Sequence, residues 1–164
     1  YEAHVPTHIT DLKTQFPIDN LHISTQKAGG RTFEDEFFIT NLQNKDVATI
    51  MFKKAISNTM DDFFDKYGLD IAKWEVNFSE IDGRSSKTIR KYLDAYKERV
   101  DSAPEKNDEY ANIIFAQLFL HYVKNQKGDF ALDVLTDKEL INEDGSSKIV
   151  VPKYIEEGLQ WLLK

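Results

Sequence analysis

The residues of this chain whose types and spacing could do chemistry are few and fall in separate places. His4 and His8 stand one helical turn apart, with Asp11 close behind. Residues four apart on a helix share a face and can hold one metal ion. Here Pro6 lies between them, and no glutamate fills the His-Glu-x-x-His pattern of a zinc protease. We therefore expect no metal, and read residues 1–17 as an N-terminal arm with a short helical turn near Ile9 to Lys13.

His121 is the second candidate. A histidine in a perturbing environment can act as a general base. His121 lies in the most apolar stretch of the chain, on the side of Gln117 and Ile114. The plainer reading is a histidine at the core edge, hydrogen-bonded to a carbonyl, because buried polar groups normally find partners. His22 falls on the polar face of an expected strand and reads as solvated.

Asp35 is the third. It follows Phe33 and precedes Phe37 in an alternating run, which places its carboxylate on the apolar face. An unpartnered charge there is costly, so Asp35 is paired, at a sheet margin, or functional. Asp61, Asp62 and Asp65 cluster within one turn, but they match no calcium loop. Lys54 and Lys66 can neutralise them, so they read as a solvated face. The chain has no Gly-x-Ser-x-Gly nucleophile elbow and no glycine-rich phosphate loop. We assign no catalytic residue, with His121 and Asp35 as the candidates, and expect no cofactor.

Composition narrows the class further. The 164 residues carry a net charge of −7, with 41% hydrophobic and 12% aromatic residues. That much apolar surface supports one folded domain over 1–164. Zero cysteines exclude disulfides, thiolate metal sites and a thiol nucleophile. The acidic balance disfavours phosphate backbones, so no nucleic-acid binding is expected. The one basic segment, Lys87 to Arg99, carries Asp94 and Glu98 on its exposed side. The longest apolar stretch, Ile113 to Val123, is too short to cross a membrane, which needs about 20 residues. The basic residues are mostly lysine, which together with the Ile and Asn content suggests a low-GC bacterium.

The elements that must position these residues read as α+β. Leu21 to Thr25 alternates, Gly29-Gly30 marks a turn, and Thr32 to Thr40 alternates again, so a hairpin is expected. Trp74, Val76 and Phe78 suggest a third antiparallel strand, and Lys148 to Val151 a further short one. Asp46 to Tyr67 reads as one long helix ended by Gly68. A helix capped by Ser85 or Ser86 runs to about Val100, with the stripe Ile89, Tyr92, Leu93, Tyr96, Val100. The helix near 108–124 is apolar all round and is expected at the centre. Phe130 to Leu135 reads as a short helix, Thr136 to Glu139 as a capping box, Asp144-Gly145 as a turn, and Pro152 as the start of a last helix. The alternative is a mostly α fold with the hairpin as an appendage.

These features favour a non-enzymatic binding or accessory domain of an exported, surface-associated bacterial protein, placed outside the cytoplasm. Its partner is expected to be another protein or a cell-surface component. The chain starts at Tyr1, so an export signal or lipid anchor is expected upstream in the gene. The alternative is a cytosolic inhibitor or immunity-type protein whose acidic surface blocks a basic partner. The third reading is a hydrolase using His121 with a carboxylate.

Overall fold

A computed structural model describes residues 11, 14, 15, 24, 30, 32–56, 60–81 and 83–163. Of its interpretable part, 77% is helical, and it contains no strand. The expected α+β class is therefore corrected to mostly α. His4, His8, His22, Gly29 and most of the expected first strand lie outside the described residues.

The helices are α1 (Phe33–Asn41), α2 (Lys45–Ile56), α3 (Asp61–Tyr67), α4 (Ile71–Val76), α5 (Gly83–Ser102), α6 (Asn107–Val123), α7 (Lys127–Thr136) and α8 (Lys153–Leu162). Short 3-10 turns stand at Phe78–Glu80, Pro104–Lys106 and Lys138–Leu140.

The centre is α6. It holds no glycine or proline, and Asp108 and Glu109 in its first turn complement the helix dipole. Ile114, Phe115, Leu118, Phe119 and Val123 are buried, and α1, α2 and α5 pack around them. The expectation of a central helix here holds. The stripe on α5 is also as read: Ile89, Leu93 and Tyr96 are buried, with Tyr92 and Val100 partly so.

The segment read as the second hairpin strand is α1. Thr32 caps it: its hydroxyl accepts from the Asp35 N–H at 3.5 Å, and the Asp35 carboxylate accepts from the Thr32 N–H at 2.7 Å. This reciprocal box satisfies two backbone donors at the helix start. Burial then follows helical spacing, at Asp35, Phe38 and Asn41, and not alternation. Gly30 approaches α1 closely. Its N–H donates to a Glu36 carboxylate oxygen at 2.7 Å, and a Cβ there would stand 2.5 Å from the Glu36 backbone. Gly30→Ala is expected to cost about 1–3 kcal/mol by forced displacement. Denaturant unfolding measures it, and an unchanged midpoint would contradict the close approach.

The expected strand at Trp74 to Phe78 is α4 followed by a 3-10 turn. Asp70 caps α4 by accepting from the Lys73 N–H at 3.2 Å. Ile71 and Trp74, three apart, are buried, while Val76 is 81% exposed. A strand would have put Trp74 and Val76 on one face. The Trp74 indole N–H donates to the Gly68 carbonyl at 2.7 Å, which ties α4 to the end of α3.

The single long helix expected over Asp46 to Tyr67 is two helices, α2 and α3. Met60 enters α3 with φ −155°, outside helical geometry, and Gly68 ends α3 at φ 55°. That positive φ suits glycine and matches the expected stop. Lys148 to Val151 forms no strand either. Only an isolated bridge, Ile141 to Ser147, closes the turn at Asp144-Gly145.

Asn41, 1% exposed, fastens the end of this segment to α1. Its amide nitrogen donates to the Phe37 and Val150 carbonyls, and its oxygen accepts from the Val150 N–H at 2.8 Å. Gln126 does the same at the other end. It donates to the Ala55 carbonyl at 2.6 Å, filling an orphan acceptor in the last turn of α2.

Candidate functional site

Asp35 has a structural explanation. It is 4% exposed, and one carboxylate oxygen accepts from the Thr32 N–H, the Thr32 hydroxyl at 3.0 Å and the Glu36 N–H at 2.9 Å. The open choice made from sequence resolves to a paired carboxylate that caps a helix. Burial pushes the Tyr154 hydroxyl pKa up, and the Glu36, Glu34 and Asp35 charges add to the shift.

His121 sits in the last turn of α6, half-buried between aromatic rings. Tyr92 on α5 and Tyr122 meet it edge-on, at 6.3 and 5.3 Å between ring centres. Burial lowers its pKa, and the Lys124 and Lys91 charges lower it further. Among the described residues, the charged groups acting on it are those lysines and no carboxylate. The contacts described for His121 are to Tyr92 and Tyr122, and those described for Asp35 are to the start of α1.

The sign of the histidine shift has a measurable consequence. A folded-state pKa below the unfolded value means that the unfolded chain binds more protons, so stability rises with pH across the interval. We expect the His121 ring to titrate below its ordinary 6.5. Its contribution is present above pH 6.5 and is lost as pH falls toward the lowered value. An NMR titration of the ring protons measures this, and a midpoint at or above 6.5 would contradict the surroundings described.

Among the described residues, a groove lies elsewhere, along α2. One cleft of about 700 Å³ is lined by Asn44, Asp46, Val47, Ile50, Glu139, Asn142, Ser147 and Lys148. A second, of about 440 Å³, is lined by Ile50, Lys53, Lys54, Asp61, Asp133, Asp137 and Glu139. Ile50 and Glu139 belong to both, so the two form one groove.

Each wall has a local cause. The Asn44 side chain accepts from the Val47 N–H at 3.3 Å, in the pattern of a helix cap, and this starts α2. Asp137 caps the 3-10 turn after α7 by accepting from the Glu139 N–H at 2.8 Å. The capping box expected at Thr136 does not form: Thr136 ends α7, its hydroxyl donates to the Leu132 carbonyl at 2.8 Å, and Asp137 is the cap. The far wall is the turn at Asp144-Gly145. There Gly145 takes φ 83°, and Asp144 accepts from the Ser146 N–H and hydroxyl at 2.9 and 2.6 Å.

Charge in the groove is mostly negative. Five carboxylates line it (Asp46, Asp61, Asp133, Asp137 and Glu139) against three lysines (Lys53, Lys54 and Lys148). Two of those lysines are already engaged. Lys54 pairs with Asp137 at 2.5 Å, which clamps α2 to the end of α7 and, with the Glu139 N–H, holds the Asp137 carboxyl below its ordinary value. Lys53 pairs with Asp65 on α3 at 2.6 Å, and the Asp65 hydrogen bond is the main cause of its raised pKa. Of the aspartates of α3, Asp65 is paired with Lys53, while the partners expected from sequence, Lys54 and Lys66, turn instead to Asp137 and, at 2.8 Å, to Glu80. The apolar side chains in its lining are Val47, which is buried, and half-buried Ile50.

Sequence reading missed this groove. Its walls come from segments about 90 residues apart, and none of them carries a recognisable motif. No group of three or more metal-ligating side chains occurs among the described residues. No helix there is long and apolar enough to cross a membrane. Comparison of the chain with protein families, curated proteins and solved structures found no match.

Proposed function

We propose that the protein is a non-enzymatic binding domain whose groove along α2 takes a positively charged segment of another protein. The observation that supports this reading is the lining of the groove. Its carboxylates outnumber its lysines, and two of those lysines are tied to aspartates. Such a surface steers a cationic partner and fixes its register. Half-buried Ile50, shared by both clefts, adds apolar contact that charge alone does not supply.

Fluorescence anisotropy with a labelled oligolysine peptide tests the proposal. We expect salt-sensitive binding. The double charge reversal Asp133→Lys with Glu139→Lys is expected to weaken it by about tenfold, or about 1.4 kcal/mol. The control carries the same change in net charge on the exposed face of α5, as Asp94→Lys with Glu98→Lys, and is expected to lose far less. Equal losses in the two variants would overturn the proposal, because net charge alone would then explain the binding. Absence of binding at low salt would overturn it as well.

A further inference from the structure

We draw no further inference here: the strongest candidate, the exposed leucine face of the last helix α8 at Leu159, Leu162 and the adjoining Leu163, carries nothing because nothing in the structure shows what covers it.

Discussion

Phe119→Ala is expected to destabilise the protein by about 3–5 kcal/mol, with Phe115→Ala close behind. Phe119 is fully buried on α6. Its ring stacks on Phe38 of α1 at 4.5 Å and meets Phe130 of α7 edge-on at 5.2 Å. One truncation therefore opens a cavity where three helices meet. It also removes two aromatic pairs, each contributing about 0.5–1.5 kcal/mol beyond burial. Phe115 plays the same part toward Phe52 and Trp74, at 6.0 and 5.2 Å. Urea unfolding followed by circular dichroism gives the value. A loss below about 1 kcal/mol for either residue would mean that α6 is not at the centre.

The second large effect comes as a contrast between two positions on α4. Trp74→Ala is expected to cost about 3–5 kcal/mol. Its side chain is fully buried among Phe52, Phe63, Phe64 and Phe115, and its indole N–H satisfies the Gly68 carbonyl. Val76→Asp, two residues on, is expected to stay within about 0.5 kcal/mol of the parent, because surface changes away from special features are nearly neutral. Val76 is 81% exposed. A strand at this place would bury both side chains on one face, and both substitutions would then be severe. Parallel denaturation of the two variants separates the helical arrangement from the extended one. A large loss for Val76→Asp would contradict the helix.

What could be read in the sequence follows from length and period. α5 and α6 are long enough for a 3.6-residue pattern to repeat several times, so their stripes and central placement are legible. α1 and α4 are 9 and 6 residues long. Over so few positions, Phe33, Phe37 and Ile39, or Trp74, Val76 and Phe78, imitate a two-residue period. The better local signals were the caps, Thr32 with Asp35 and Asp70 before Ile71, because they name the donors that a helix start must satisfy. The break between α2 and α3 carries no glycine or proline from Lys45 to Tyr67 to announce it. The two helices meet through tertiary contacts that the sequence does not display: Phe52 of α2 stacks on Phe64 of α3 at 5.1 Å, and both meet Trp74.

The candidate residues show the same division. Asp35 was flagged from an expected strand face, with pairing, a sheet margin and function left open; the segment is a helix, and the carboxylate bonds to its start. Of the lysines acting on His121, Lys124 stands three residues further along the chain, while Lys91 comes from α5 and only the fold brings it near. The groove was illegible for a related reason. Ile50 and Glu139 are 89 positions apart, and the Lys54 to Asp137 pair that clamps its walls spans a similar distance.

An NMR titration of the isotope-labelled protein with the oligolysine peptide tests the groove most directly. Amide shifts are expected to concentrate in residues 44–54 and 133–148, to saturate with added peptide and to reverse with salt. Shifts spread evenly over the acidic surface, or gathered at α5 or α8 with residues 44–54 unmoved, would contradict it.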